Sequence, residues 1–240
     1  MDVRFLTAGD SAVVVEFGDR VDRSLSERVL RLSASVRAAN IRGVLETVPT
    51  YRSLMVLHDS LTIGASRLIA ELECLVHNAA GEKNQATLWY IPACYDGSHA
   101  PDLADVAART GLTGADIVQR HSSTVFHVYM LGFVPGFPYM GDLPDALVLP
   151  RRTDPRVKVP AGSVAIAAGQ TAIYPVESPG GWHLIGATPV RLFDVRLPKP
   201  ALLAPGDKVK FCQIGGAEFD EIRAAVNADA YRVPCESVVA

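Results

Sequence analysis

Proline is concentrated in one part of this chain, and this restricts the possible folds more than any other feature. Eleven of the sixteen prolines lie between Pro135 and Pro200. Proline lacks a backbone N–H and clashes with the preceding helical turn, so this stretch has little room for helices. Between the prolines stand short runs rich in β-branched residues: Ser163–Ile166, Thr171–Val176 and Pro189–Val195. Short strands separated by Gly/Pro turns predict a β-barrel or sandwich with elaborate loops.

The first third of the chain has a different pattern, in which strands alternate with helices. Runs rich in β-branched and aromatic residues predict strands at Val3–Leu6, Ala12–Phe17, Gly43–Thr50 and Ser53–His58. Apolar residues at helical spacing predict one helix that Asp22 or Ser24 caps, and a second at Ile63–His77. Strands with two interleaved helices predict a small ferredoxin-like α+β domain.

A polar, glycine-containing segment, residues 78–85, separates these two patterns. The chain of 240 residues is longer than the usual single domain of roughly 100–150 residues, which favours two domains. We therefore predict an N-terminal domain at 1–84 and a β-barrel domain at 85–240. Two short helices are expected early in the second domain, at Asp102–Thr110 and Ala115–His121, with Gly111 ending the first and Thr113 capping the second.

Bulk composition excludes several classes of function. The net charge of −3 gives no electrostatic basis for binding nucleic acid or an anionic membrane. The opening residues lack the pattern of a secretory signal, and no run of about 18 apolar residues predicts a membrane span. Cys74, Cys94, Cys212 and Cys235 match no zinc spacing, so we expect free thiols in a reducing cytoplasm and no metal site.

Three long stretches combine glycine, proline and aromatic residues: Tyr129–Gly141, Pro150–Ser163 and Gly169–Gly186. Such residues either fix turns around a core or build rigid walls where backbone approaches a ligand. The second stretch also carries four positive charges within eight positions, at Arg151, Arg152, Arg156 and Lys158. This basic run is either a solvated surface or a site that captures a small carboxylate, for which arginine has a matching fork of donors.

The order of these motifs carries a family resemblance. The chain contains G-F-x-P-G-F-P-Y from Gly132, P-R-R-x-x-P-R-x-x-V-P-A-G-S-V from Pro150, and G-Q-T-x-I-Y-P-x-x-S-P-G-G-W-x-L-I-G from Gly169. In this it resembles the 5-oxoprolinase B-subunit family, also called allophanate hydrolase subunit 1 or KipI-like. The resemblance extends upstream to Val48–Leu54 and downstream to Pro205–Val209.

The resemblance implies a cyclophilin-like β-barrel in the second domain and a role in a cytoplasmic complex. The implied partners are the 5-oxoprolinase C subunit (allophanate hydrolase subunit 2) and an A subunit of the lactam-utilisation type. The implied reaction opens 5-oxoproline to glutamate with ATP, and we expect the complex to use ATP without this chain binding it alone, since no P-loop motif occurs. The family also allows a KipI-like inhibitor of a sensor histidine kinase, or a urea-carboxylase or allophanate-related subunit. Family members often carry arginine where this chain has Ala187.

The motifs supply the candidate site residues, each of which also has a purely structural interpretation. The predicted catalytic residues are His183, Gln170 and Ser178. The predicted substrate-binding residues are Arg152, Arg156, Lys158, Phe133, Phe137, Tyr139, Gly180, Gly181 and Trp182. Backbone N–H groups around Gly180 and Gly181 are expected to converge on an oxyanion, because glycine leaves the approach open. Trp182 either stacks on a ligand or plugs the barrel.

Overall fold

The computed structural model describes residues 3–78 and 85–239, which divide into two compact units. The second unit is Ala86–Val238, and the first consists of the described residues before it together with Val239. The linker predicted at residues 78–85 falls mainly on residues 79–84, outside the described part of the chain. No helix in the described ranges has both the length and the apolar character needed to cross a bilayer.

The first unit is a four-stranded antiparallel sheet with two helices. Its elements are β1 (Arg4–Thr7), β2 (Ala12–Glu16), α1 (Arg23–Ala39), β3 (Val44–Pro49), β4 (Ser53–His58) and α2 (Ala65–Asn78). The strand order is β1-β2-β4-β3, with every neighbour antiparallel. This ββαββα order is a circular permutation of the βαββαβ ferredoxin-like arrangement, so the predicted α+β architecture is confirmed.

Alternation along the strands explains why the helices cover one face of this sheet. Val13 and Val15 on β2 are fully buried, whereas Val14 between them is half-buried. Successive strand residues point to opposite faces, so one set meets the helices. The helices contribute Leu32 and Leu72 to the same core.

Local capping signals position the helices as the sequence predicts. Asp22 caps α1 by accepting a hydrogen bond from the backbone N–H of Ser24 at 2.9 Å. In the second unit, Thr113 and Asp116 form a reciprocal capping box at the start of the helix Gly114–Ser123, and Gly111 ends the helix Leu103–Thr110 with a left-handed φ of 72°. Each device satisfies backbone groups that the helix itself leaves unpaired.

The second unit is a closed β-barrel with three helices. Its helices are α3 (Leu103–Thr110), α4 (Gly114–Ser123) and α5 (Gly216–Asn227). Its strands are β5 (Gln85–Cys94), β6 (Val125–Leu131), β7 (Pro138–Gly141), β8 (Arg156–Val159), β9 (Ser163–Ala167), β10 (Gln170–Ile173), β11 (Ser178–Gly180), β12 (His183–Ala187), β13 (Lys208–Ile214) and β14 (Cys235–Val239).

Seven of these strands close the barrel in the order β12-β9-β10-β7-β6-β13-β5, and β12 pairs with β5 at Ala187 and Cys94. Strand β14 adds to β5 from outside, and β8 and β11 form a separate ribbon. Closure removes the unpaired edges that an open sheet would expose. The predicted barrel is therefore confirmed. In the ribbon, β11 pairs with β8, which places Ser178–Gly180 beside Arg156–Val159.

One predicted strand is wrong. Pro189–Val195 has the residue types of a strand, but it forms an irregular loop whose single bridge joins Phe193 to Ala201. The side chains of Arg191 and Asp194 form ion pairs with each other and with neighbouring charged residues. Prolines at 198 and 200 also remove backbone donors that a partner strand would need.

Candidate functional site

The three unusual stretches meet at one place on the barrel, where the aromatic side chains of the first and third stretches form a single cluster and Val159 of the second packs against it. We call this the aromatic cluster; its members are Phe133, Phe137, Tyr139, Tyr174 and Trp182. The first two stretches reach it through the β6–β7 connection and β8, and the third through the segment from β10 to β12. Residues up to 49 positions apart in sequence therefore share one packed group.

Phe137 lies at the centre of the aromatic cluster. Its ring centroid is 4.9 Å from that of Tyr139, 5.1 Å from Tyr174 and 6.1 Å from Trp182. The rings are tilted or edge-on, an arrangement that aromatic quadrupoles favour. Trp182 is buried within this group, so it fills the wall of the barrel.

Phe133 marks the solvent-facing end of the cluster. Its side chain is 60% exposed, although its ring centroid lies 5.6 Å from that of Phe137. The residue also holds a left-handed backbone, with φ of 67°. A large side chain rarely adopts this conformation, and such residues are found disproportionately at functional sites.

Both tyrosines of the cluster keep their protons at neutral pH. Burial raises the pKa of Tyr174 to about 12, with a further increase from Tyr139, while the charges of Arg151 and Arg156 act against it. Burial also raises the pKa of Tyr139, against the charge of Arg151. The two phenols therefore stay neutral beside the charge of Arg151.

Two arginines of the basic run contact a carboxylate within the protein. The carboxylate of Asp102 is buried. It accepts hydrogen bonds from Arg156 at 2.8 Å and 2.6 Å and from Arg152 at 3.1 Å. It also accepts one from the backbone N–H of Leu184 at 2.7 Å. Burial alone would raise the pKa of Asp102, but the hydrogen bonds from Arg156 and Leu184 and the two positive charges bring it below its usual value. This ion-paired group fastens the basic run to the N-terminus of α3.

Arg151 is the cation of this run that stays available. Its side chain is exposed, and no described residue forms an ion pair or hydrogen bond with it. Its charge acts on the phenols of both Tyr139 and Tyr174, which places it beside the aromatic cluster. Lys158, in contrast, is exposed and pairs with Glu177 at 3.1 Å.

Gly180 is required by the packing of the cluster. A Cβ atom at this position would lie 2.1 Å from Tyr174 Oη, far inside van der Waals contact. Gly181 has more space, since the nearest atom to a Cβ there is Pro155 Cβ at 3.5 Å. The carbonyl of Gly181 accepts a hydrogen bond from the Arg152 backbone N–H at 2.7 Å, which links the glycine loop to the basic run.

The three predicted catalytic residues occupy different settings. Ser178 Oγ is buried and has no hydrogen-bond partner among the described residues, so it forms no Ser–His pair with His183. His183 is buried; its Nε2 lies 3.0 Å from the Pro150 carbonyl, and its Nδ1 is 3.8 Å from Asp105 Oδ2. Gln170 is half-buried at the start of β10, opposite Ala167.

Ala187 does not lie in the glycine loop. It packs with Phe219 and Ile222 of α5 and with Cys94 in a small separate cluster. The position at which the resemblance implies an arginine therefore lies next to α5.

Asp102 and Tyr174 lie at this place on the barrel but were not predicted from the sequence, and Arg151 was predicted only as one member of the basic run. Arg151 and Tyr174 stand inside the motifs, so the motifs contained a signal for both. Nothing near Asp102 in sequence points to its arginine partners.

Comparison with known proteins identifies the family. Residues 3–203 match the model of the carboxyltransferase domain, subdomain C and D. The 5-oxoprolinase B subunit of Escherichia coli O157:H7 is 41% identical over 206 residues, which are 85% of this chain and 92% of that protein. The chain belongs to the 5-oxoprolinase B-subunit family. The resemblance inferred from the motifs is confirmed.

A second relative supports the family assignment, and a solved structure supports the fold. The 5-oxoprolinase B subunit of Bacillus subtilis (strain 168) is 34% identical over 230 residues, covering 91% of this chain and 96% of that protein. The crystal structure of the K. lactis urea amidolyase superposes with a TM-score of 0.82 at 21% identity. That match covers 99% of this chain but only 16% of the amidolyase, and at this identity it supports the fold alone.

Proposed function

We propose that this chain is the B subunit of a cytoplasmic, multi-subunit, ATP-dependent 5-oxoprolinase, which opens the lactam of 5-oxoproline to give glutamate. The observation that carries the proposal is the 41% identity to the E. coli B subunit over 92% of that protein's length. The aromatic cluster and Arg151 supply a site whose chemistry suits a small cyclic carboxylate.

Arg151 is our candidate for the substrate carboxylate. A guanidinium binds a carboxylate through paired donors, and this one has no competing partner among the described residues. Arg152 and Arg156 act indirectly. Because they bind Asp102, they fix the loop that carries Arg151. In this proposal they are positioning residues.

The aromatic side chains around Arg151 would receive the five-membered ring. Phe133 and Tyr139 supply flat, partly exposed surface, and the protonated phenol of Tyr139 can donate to the lactam oxygen. A hydrogen bond to that oxygen stabilises the negative charge that develops there as the carbonyl is attacked. The buried Ser178 Oγ and the backbone near Gly180 are further candidate polar contacts.

The reaction balances with ATP and water. The lactam C–N bond breaks, oxygen from water ends on the carbonyl carbon, the ring nitrogen becomes the amine of glutamate, and ATP gives ADP and phosphate. We assign ATP binding to another subunit, because this sequence has no P-loop motif. The proposed partners are a C subunit similar in fold to this chain and an A subunit of the lactam-utilisation type.

Reconstitution tests this proposal. The chain is co-expressed with its partner A and C subunits, and glutamate formation from 5-oxoproline is measured with and without ATP. The proposal predicts that glutamate forms only when ATP and all three chains are present. A complex that assembles but produces no glutamate would overturn the substrate assignment.

A second candidate is an allophanate- or urea-carboxylase-related activity. A protein named putative urea carboxylase, from Emericella nidulans, is 24% identical across 98% of this chain, although the match covers only 22% of that larger protein. This candidate predicts turnover of urea-derived amides in the same assay and dependence on a biotin-carrying carboxylase. Glutamate formation without biotin would favour the first proposal.

A further inference from the structure

A separate cavity of about 820 Å³ lies on the second unit, away from the aromatic cluster. It is bounded on one side by the loop from Val190 to Leu202 and on the other by the C-terminal segment from Val226 to Cys235. None of the aromatic-cluster residues lines it. Its volume is in the range of about 300–1,000 Å³ that is typical of ligand pockets.

The floor of the cavity is apolar. It includes Trp89, Leu202, Tyr231 and Val233, which pack as partly buried hydrophobic residues on the barrel core. Trp89 is held in place because its indole N–H donates to Asp207 Oδ2 at 3.0 Å. Burial also raises the pKa of Tyr231, consistent with a poorly solvated wall. Such a surface favours an aromatic or branched aliphatic group.

Two ion-paired aspartates tie the two sides of the cavity together. Arg191 bridges Asp194 and Asp229, at 3.0 Å to each. Arg196 bridges the same two carboxylates, at 2.5 Å and 3.1 Å. Hydrogen bonds from Arg196 lower the pKa of both aspartates. Their negative charge is therefore already matched within the protein.

Two further cationic side chains at the cavity form no ion pair with the described residues. Lys199 is exposed and has no ion-pair partner among the described residues. Arg232 makes only long contacts, at 3.4 Å, to the backbone carbonyls of Asp229 and Tyr231. With four cationic and two anionic side chains lining it, the cavity carries a net charge of 4 − 2 = +2.

We propose that this cavity is a binding site for a small amphipathic anion: an aromatic or branched aliphatic body that bears one carboxylate. The body would lie on Trp89 and Leu202, and the carboxylate would contact Arg232 and Lys199. An apolar floor with a few charged groups at its edge is the usual design of a small-molecule site. The proposal does not depend on the activity proposed for the aromatic cluster.

A matched pair of probes tests the proposal. The affinities of 1-naphthaleneacetate and of its neutral amide for the full-length chain are measured by equilibrium dialysis. The two probes share one apolar body and differ in charge. We expect saturable binding of one equivalent of the acid and at least about tenfold weaker binding of the amide, because the neutral amide lacks the charge that strengthens hydrogen bonds to Arg232 and Lys199.

Charge-removing variants locate the site. Arg232→Met and Lys199→Met should each weaken binding of the acid by about fivefold to tenfold, given their exposed positions. Arg223→Met is the matched control, because Arg223 is an exposed arginine that pairs with Asp220 and does not line the cavity. Both test residues are on the surface, so the variants should fold.

Three results would overturn the proposal. The first is the absence of saturable binding, and the second is equal binding of acid and amide. The third is loss of probe binding when the partner proteins of the complex are added, which would make the cavity part of an interface between subunits. Catalytic turnover is not measured in this test, so its outcome is separate from that of the reconstituted assay.

Discussion

Asp102 and Arg156 form a two-point ion pair, with Nη1 2.8 Å from Oδ2 and Nη2 2.6 Å from Oδ1, across 54 positions of sequence. Arg152 and the backbone of Leu184 complete the surroundings of the carboxylate. The basic run therefore has two components. Arg152 and Arg156 hold the loop in position, and Arg151 presents its charge beside the tyrosines.

Removing the central carboxylate should lower stability. Asp102→Asn leaves two partly buried guanidinium groups without their counter-charge. We expect a loss of about 2–3 kcal/mol in the free energy of unfolding, below the roughly 3–5 kcal/mol of a fully buried pair. Urea denaturation at pH 7 measures it. Asp105→Asn, which breaks an exposed pair with Arg109, is the control and should cost less than about 1 kcal/mol.

The same carboxylate has a defined pH window. The pKa of Asp102 is lower in the folded protein than in the unfolded chain, so its stabilisation is present above pH 4 and is lost as the pH falls further. The wild type should therefore lose stability more steeply than Asp102→Asn does as the pH falls below about 4. Parallel curves for the two proteins in this range would contradict the assignment.

Arg151 and Arg152 should respond differently to truncation. Arg151→Ala is expected to raise the KM for 5-oxoproline by about 10- to 100-fold, the effect of losing a charge-assisted hydrogen bond, with little change in thermal stability. Arg152→Ala should instead lower the melting temperature. Lys158→Ala, in the same run but paired with Glu177 on the surface, should change neither. An unchanged KM in Arg151→Ala would remove that residue from the proposed site.

The two adjacent glycines provide a test of packing. Gly180→Ala places a methyl group 2.1 Å from Tyr174 Oη and should cost about 1–3 kcal/mol. Gly181→Ala, with its nearest neighbour at 3.5 Å, should stay within about 1 kcal/mol of wild type. Adding Tyr174→Phe should recover part of the Gly180→Ala loss, because the nearest clashing atom is gone. Equal costs at both positions would contradict this packing.

His121 should make the free energy of unfolding depend on pH at higher pH values than Asp102 does. It is fully buried, with Nδ1 2.8 Å from Tyr95 Oη and Nε2 2.9 Å from Thr171 Oγ1, and burial lowers its pKa to about 3. Because the folded state disfavours its protonation, stability should fall by up to about 1.4 kcal/mol per unit as pH drops below 6.5. His121→Gln should be less stable at pH 7 but lack this slope between pH 6 and 4.5. The exposed His77→Gln is the control and should keep it.

Local signals account for much of the fold that the sequence predicted. Asp22, Gly111 and the Thr113–Asp116 pair act within one helical turn, so their roles follow from spacing alone. Runs rich in β-branched and aromatic residues likewise predicted strands β2 and β4. Pro189–Val195 was predicted wrongly because its residue types suit a strand, while the ion pair of Arg191 with Asp229 depends on a residue 38 positions away.

The site was less predictable for the same reason. The motifs located the aromatic cluster, because its members all stand within them. Neighbouring residues of one loop cannot be told apart by spacing, so Arg152 was selected although Arg151 is the one left unpaired among the described residues. Asp102 lies about 50 positions upstream of its arginine partners, and the cavity joins residues as distant as Trp89 and Cys235. Such pairings depend on barrel closure.

The most direct measurement is the yield of glutamate and ADP from 5-oxoproline and ATP, with the A and C subunits present and this chain either added or omitted. Both products should form in equal amounts and only when this chain is present. Glutamate formation at the same rate without the chain, or none with all three proteins assembled, would contradict it.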